Sequence, residues 1–361
     1  MDAENRQRIR TVLREYGLEA ERIEAFGKMH KVYGKRGIFG LKETTEQKGR
    51  NMLRSLTVLY EKGFFHVVPV CLTRMGYPGV RFPGKFFYLL PWMEGKSGGQ
   101  QGKTGDRMFR ELGKMHYFTA REIPLDKRRA ENDYLRAKER IEREKEELER
   151  FMDLCEQKTY LSPFEWIFTD YFFEIWQAYE FAAEKLERWF TETVSRGSLR
   201  SVLIHGRLSL DHFIFDERGT GRFINLEHSR RASPVFDLLP FFREILQTRD
   251  GEAFHWMNRY WKYFPWREEE QFLLQAGLAC PHPLMKLVKA YSLPEKKMGE
   301  YDAAKGMMQE IRRLLHIKGF VLELEKGLPA GGTDAGDIKG TRNERRPVIL
   351  KDLPPRQKNS K

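Results

Sequence analysis

The sequence predicts an α+β chain in two lobes: a small β-rich lobe over residues 1–95, a larger and mainly helical lobe over 96–326, and then a basic tail over 327–361. Three observations predict it. After one leading helix, the first 92 residues read in the order strand, strand, helix, strand, strand. A Gly/Ser-rich stretch from Lys96 to Gly105 then breaks the pattern, as composition does at a lobe boundary, and we place the hinge there. Beyond it, apolar residues recur at helical spacing through several long segments.

Residues 5–16 carry Ile9, Val12, Leu13 and Tyr16 on one helical face, and Gly17 stops that helix. Arg22–Phe26 and Ile38–Thr44 are short apolar runs on either side of a turn containing Gly27, Gly34 and Gly37, which reads as a hairpin. Met52, Leu53, Leu56 and Leu59 or Tyr60 give a helix over 46–61, closed by Gly63. Val67–Thr73 and Phe86–Trp92 are the next strands, separated by a turn at Tyr77-Pro78-Gly79. Helices are expected over 108–119, 126–152 and 164–194. The middle one has 18 charged residues among the 25 from Asp126 to Arg150, and only Leu135, Ile141 and Leu148 form its apolar stripe. With Lys138 and Lys145 where a second seam would lie, it reads as a helix laid over the larger lobe and not as a coiled coil. Val202–Ile204, Phe213–Asp216 and Arg222–Leu226 are short β runs, the last two joined by the loop 217–221. Helices resume from Asp237. After Leu324, five glycines, Pro329 and the pair Pro354-Pro355 mix with charge, so residues 327–361 are expected to be disordered.

A chain of 361 residues with 40% apolar content can bury a large core, which excludes disorder throughout. The net charge of +12 invites a nucleic-acid or anionic-surface reading, but its distribution weakens it. From Lys326 to Lys361 there are nine Lys or Arg against four Asp or Glu, a surplus of +5, so the preceding 325 residues hold +7 with acids and bases closely alternating. Zinc spacing, a basic heptad helix and an aromatic RNA-binding pattern are all missing from the sequence, so a nucleic-acid partner is not expected. Cys71, Cys155 and Cys280 are far apart and odd in number, which argues against a disulfide framework and for a reducing compartment. The amino terminus leads into a charged helix and not an apolar leader, and no run reaches eighteen apolar residues; a protein made and kept inside a cell is expected.

The most informative stretch is His205-Gly206-Arg207-Leu208-Ser209-Leu210-Asp211-His212, followed by Ile224-Asn225-Leu226-Glu227. In phosphoryl-transfer loops of the pattern H-[GR]-D-x-x-x-x-N, the Asp takes the proton of the substrate hydroxyl, the Asn holds a magnesium ion, and a later Asp holds magnesium against the phosphates. Here those three positions read Arg207, His212 and Asn225. Arg207 removes the proton acceptor and substitutes a permanent positive charge. Magnesium favours hard anionic oxygen, so His212 and Asn225 are poor ligands for it, and no metal site is expected.

With Leu41-Lys42, Leu89-Leu90-Pro91-Trp92-Met93-Glu94-Gly95, Leu112-Gly113-Lys114-Met115-His116 and Ser233-Pro234-Val235-Phe236-Asp237-Leu238 in the same order, the chain resembles the aminoglycoside phosphotransferase-like branch of the protein-kinase fold. More narrowly it resembles spore coat proteins of the CotS and YsxE type from endospore-forming bacteria, over roughly residues 5–325. The resemblance implies the two-lobed kinase-like fold, with Lys42 as the third-strand lysine and Lys42 with Glu227 bounding a candidate nucleotide cleft. Neither Glu46 nor Glu61 is well placed as the helix partner of Lys42. His116 and His205 are expected to pack and to shape the loop. Asp237 is expected to brace the start of a helix, and Arg207 to pair with Glu227 or Asp211.

Three functional expectations follow from these residues. The first is a catalytically inactive kinase-like protein of the endospore coat, made in the mother-cell cytoplasm and assembled with other coat proteins, with no cofactor. The second is a small-molecule or protein phosphotransferase using ATP and magnesium, in which Asp211 or Glu227 does the carboxylate work. The third, ranked last, is an anionic-surface binder acting through the basic tail.

Overall fold

The computed structural model describes residues 3–93, 101–247, 250–293 and 298–326. The chain forms two compact units: Met1–Thr119 with Leu203–Arg231, and Ala120–Val202 with the described residues from 232 to 326. The expected lobe boundary at 95/96 and the disordered tail at 327–361 fall outside the described residues.

The first unit opens with α1 (Ala3–Glu15), followed by β1 (Ala20–Phe26), β2 (Met29–Gly34), β3 (Gly37–Thr44), α2 (Glu46–Glu61), β4 (Val80–Phe82), β5 (Lys85–Pro91) and α3 (Gln101–Thr119). The strands form one antiparallel sheet in the order β1-β2-β3-β5-β4. Ile9, Val12, Leu13 and Tyr16 of α1 are buried with Val32, Leu41, Cys71, Phe87 and Leu89. The expected hairpin turn over 27–37 contains a whole strand, β2. Its alternation is masked by His30 and Lys31, and left-handed glycines at Gly27 and Gly37 supply tight turns on either side. Val67–Thr73 is not a strand: it makes isolated bridges from Val67 to Phe223 and from Cys71 to Leu89. Pro69 lies at its centre and has no N–H to give a ladder. α3 starts at Gln101, so the second half of the expected linker is helical despite Gly102 and Gly105.

The second unit begins with β6 (Arg121–Pro124), a strand the sequence did not suggest, then α4 (Lys127–Glu156), α5 (Pro163–Asp170), α6 (Phe172–Arg196) and β7 (Ser198–Ile204), which pairs with β6 and carries the chain back into the first unit. The expected helix over 164–194 is two helices, broken at Tyr171, and the apolar periodicity runs on across the break. In α4, Ile141 and Leu148 are buried while Leu135 is exposed, so the stripe begins only midway along the helix. The core of this unit is aromatic: Phe151, Phe164, Phe168, Tyr179 and Tyr291 are buried together, with Phe164 stacked on Tyr291 at 3.9 Å between centroids. Cys155 belongs to the same core, and Cys280 is half-buried.

Back in the first unit, β8 (Phe213–Phe215) and β9 (Gly221–Phe223) form the expected hairpin. The second strand ends at Phe223 and not at 226, because Asn225 takes a left-handed conformation (φ 67°). β10 (Arg230–Ala232) leads to α7 (Val235–Ile245), α8 (Asp250–Tyr263), α9 (Glu268–Ala279), α10 (His282–Ser292) and α11 (Glu300–Glu325). Asp237 is the third residue of α7 and fully buried. Among the described residues no helix is long and apolar enough to cross a membrane.

Candidate functional site

Every residue of the degenerate motif lies in the first unit, on three pieces of backbone: β3, the loop 205–212 after β7, and the segment 224–228 after β9. Gly206 fixes how closely the two loops approach. It has φ +78°, and a Cβ there would lie 2.2 Å from the backbone oxygen of His228, so no other residue fits without moving one loop. His205 is fully buried and joins the same loops. Its Nε2 donates to the Ile224 carbonyl at 2.8 Å and its Nδ1 accepts from the Arg207 amide at 3.3 Å. Both bonds are to backbone, the loop-shaping role expected of it.

A single polarised chain of hydrogen bonds crosses the site. The Lys42 ammonium donates to Asn225 Oδ1 at 2.9 Å, Asn225 Nδ2 to His212 Nε2 at 3.0 Å, and His212 Nδ1 to the Arg207 carbonyl at 2.8 Å. Because an ammonium can only donate, the amide orientation follows, and with it the neutral Nδ1–H tautomer of His212. Burial lowers the His212 pKa further, helped by the charges of Arg207 and Lys42.

Glu227, 6% exposed, accepts from the Tyr88 hydroxyl at 2.8 Å and has Lys42 Nζ 3.8 Å from the same oxygen. Lys42 and Tyr88 face one another across the β3–β5 ladder. Burial pulls the Lys42 pKa down against the pull of Glu227, and the nearby charges of Arg207 and Lys48 lower it too. Burial beside a carboxylate also raises Tyr88 well above the ordinary phenol value.

Lys42, Asn225, His212 and Glu227 are therefore brought together, and two other expected residues are not. The Arg207 side chain is exposed and makes no hydrogen bond or ion pair among the described residues. The expected pairing with Glu227 or Asp211 fails because Glu227 is already met by Tyr88 and Lys42, while Asp211 is exposed. Glu46 pairs with Arg50 and Arg81 and Glu61 is exposed, so the carboxylate partner of Lys42 is Glu227. His116 is fully buried in α3. Tyr88, Lys48 and His228 were missed from sequence. Tyr88 reads as one more core aromatic until the register sets it opposite Lys42. Lys48 and His228 belong to the site only because α2 packs on the 226–228 turn.

These residues do not suit a magnesium ion bound with nucleotide phosphates. The Asn225 amide oxygen is taken by an ammonium, His212 is tied at both nitrogens, and one carboxylate remains, already accepting from Tyr88. Among the described residues no group of three His, Cys, Asp or Glu side chains could hold a metal ion.

The sequence profile of a phosphotransferase enzyme family matches residues 38–272. Among solved structures, the chain is similar to an aminoglycoside phosphotransferase from Alicyclobacillus acidocaldarius, at TM-score 0.68 and 14% identity over 88% of this chain and 96% of that one. It is also similar to a spectinomycin phosphotransferase solved with AMP, at TM-score 0.55 and 11% identity over 90% of this chain and 99% of that one. At such identities the likeness is one of fold: a small antiparallel sheet followed by a mostly helical body. No curated protein matches the chain.

Proposed function

The chain belongs to the phosphotransferase enzyme family, and from that premise we propose that it keeps the fold without phosphoryl transfer and serves as a structural or assembly component of the bacterial endospore coat. The observation that carries the loss of catalysis is the Lys42–Asn225–His212 chain. A lysine free to meet a phosphate would have to leave an amide and a carboxylate that hold it inside the protein, and the position of the catalytic base carries a guanidinium. The coat assignment is supported by the resemblance of the motif order from Leu41-Lys42 to Asp237-Leu238 to that of spore coat proteins of the CotS and YsxE type. Purified protein should show no magnesium-dependent ATP turnover. Turnover abolished by Lys42→Ala and by Glu227→Ala would overturn the reading. Antibody detection in the coat fraction of spores, against its absence there, tests the location separately.

One observation favours a second reading, a phosphotransferase with displaced groups: Glu227 remains a buried carboxylate beside Lys42. That reading requires ATP and magnesium to bind. A ligand at 100 times its Kd stabilises the folded state by about 2.7 kcal/mol, so an unchanged Tm at millimolar Mg-ATP removes it. Asp211, the other candidate carboxylate, is exposed.

A further inference from the structure

Within the first unit, Lys42 shares one face of the sheet with Gly40, two residues back along β3. The ladders set Met29 and Tyr88 opposite Lys42, and Lys31 and Leu90 opposite Gly40, so these side chains stand on that same face. A glycine inside a strand leaves a hollow in which a ligand or another group can approach the backbone closely. In the other direction from Lys42 the face is closed. Thr44 and Phe86 are buried there, and a Cβ at Gly49 of α2 would lie 2.3 Å from the Phe86 ring. The hollow at Gly40 is therefore the place beside Lys42 with the shape for a flat ring.

The indole of Trp92 already fills that place. One residue past the end of β5, Trp92 donates its amide to the Ile38 carbonyl at 3.0 Å, and its ring lies against Gly40. A Cβ at Gly40 would be 3.5 Å from Trp92 Cε3 and 3.2 Å from Met29 Sδ, so Gly40 is buried although it has no side chain of its own. The ring is held from two sides. Lys31 Nζ lies 4.7 Å from its centroid and 5.1 Å from that of Tyr33, a cation between two aromatic faces. Phe26, which is 57% exposed beside the β1–β2 turn, lies 6.3 Å away between centroids. Tyr33 is fixed in turn, its hydroxyl donating to Glu24 at 3.1 Å. A heteroaromatic base would offer these neighbours the same things: a π face for the Lys31 cation, a ring for Phe26 and a flat surface for Gly40.

We propose, on the reading in which Lys42 bounds a nucleotide cleft, that the Trp92 indole stands in for the base of a nucleotide and closes the cleft to purine nucleosides by filling it. A phosphate chain meeting Lys42 would carry its base into the hollow at Gly40, and the hollow is taken. This barrier is separate from the poor metal ligands His212 and Asn225, so it also holds against ligands that need no magnesium. An indole that fills the hollow in at least about nine molecules of ten weakens the apparent binding of a base by about tenfold or more.

The test is photolabelling of the full chain with 8-azidoadenosine, which carries the base and no phosphate and so asks nothing of Lys42 or of magnesium. Labelled peptides are mapped by mass spectrometry, with excess adenosine as competitor. In the unsubstituted protein no adenosine-competed label is expected in residues 26–42 or 88–93. Trp92→Ala is expected to raise competed labelling there by at least about tenfold. Millimolar indole, which refills the hollow, is expected to suppress the gain. Trp92→Val, whose side chain suits extended backbone and leaves the place of the ring empty, carries the same expectation if circular dichroism shows the alanine variant unfolded. Competed label in the unsubstituted protein, a folded variant that gains none, or a gain that indole leaves untouched overturns the proposal. Magnesium-dependent ATP turnover by the unsubstituted protein is the separate failure of the reading beneath it, and competed label without turnover sinks the occlusion alone.

Discussion

Lys42→Met separates a structural lysine from a catalytic one. In the structure Lys42 is the cation nearest Glu227 and the donor to Asn225 Oδ1. Removing one partner of a buried pair costs about 3–5 kcal/mol when the remaining charge has no other recourse. Here the cost is smaller, since the Lys42 ammonium sits 3.8 Å from the carboxylate and its side chain is 19% exposed. Tyr88 still donates to Glu227, and the burial penalty that lowers the Lys42 pKa is recovered. We expect about 1–2 kcal/mol from the lost pair, plus about 1 kcal/mol from Asn225 Oδ1 losing its donor. Glu227→Gln, which leaves an oxygen for Tyr88, should recover the first part and not the second, giving a coupling of about 1 kcal/mol in the double-mutant cycle. Hydrogen exchange at β3 and β5 amides reads the first unit by itself. There a total near 3 kcal/mol appears as roughly hundredfold faster exchange. Exchange unchanged in Lys42→Met, or a cycle with no coupling, refutes the structural role and returns Lys42 to the nucleotide.

Gly206→Ala should cost about 2–5 kcal/mol, combining left-handed strain with a Cβ 2.2 Å from the His228 oxygen, whereas Gly27→Ala (φ +60°, nothing within 4 Å) should cost only the strain of about 1–2 kcal/mol; equal losses by urea unfolding would contradict the contact. Arg207→Ala should change stability by less than about 0.5 kcal/mol, because the guanidinium has no partner to lose among the described residues, and a larger loss would reveal one. Burial lowers the pKa values of His30, His212, His228 and His282 below the ordinary imidazole value of 6.5. The unfolded chain therefore takes up protons that the folded one refuses. Their contribution is complete above about pH 6.5 and is lost as pH falls through the lowered values, so the urea midpoint should drop on acidification from pH 7 and stay level from 7 to 8.

Those predictions depend on different depths of reading. The leading helix, α2, β5 and the β8–β9 hairpin were legible because apolar spacing and glycine stops agree at each. β2 was not, because the buried inward position His30 is polar and Lys31 beside it is charged, so the alternation does not show in the sequence. The 67–73 run failed the other way, its aliphatic composition suggesting a strand that Pro69 cannot complete. In the site, Lys42, His212, Asn225 and Glu227 could be named from spacing, since a motif fixes which loops meet. What spacing does not fix is which of several charges meets which. Glu227 was claimed by Tyr88 and Lys42 and so was lost to Arg207, an outcome set by the β3–β5 register and by the left-handed turn at Asn225.

The cysteines turn the interior into a reporter. Burial pushes the thiol of Cys71 up to about 12 and those of Cys155 and Cys280 up to about 11, so at neutral pH almost none is present as the reactive thiolate. At the buried Cys71 and Cys155, exchange with glutathione or with cysteines of a neighbouring protein must wait for the fold to open. Because Cys71 belongs to one unit and Cys155 to the other, the rates at which an alkylating reagent finds them time the breathing of each unit separately, with no label added.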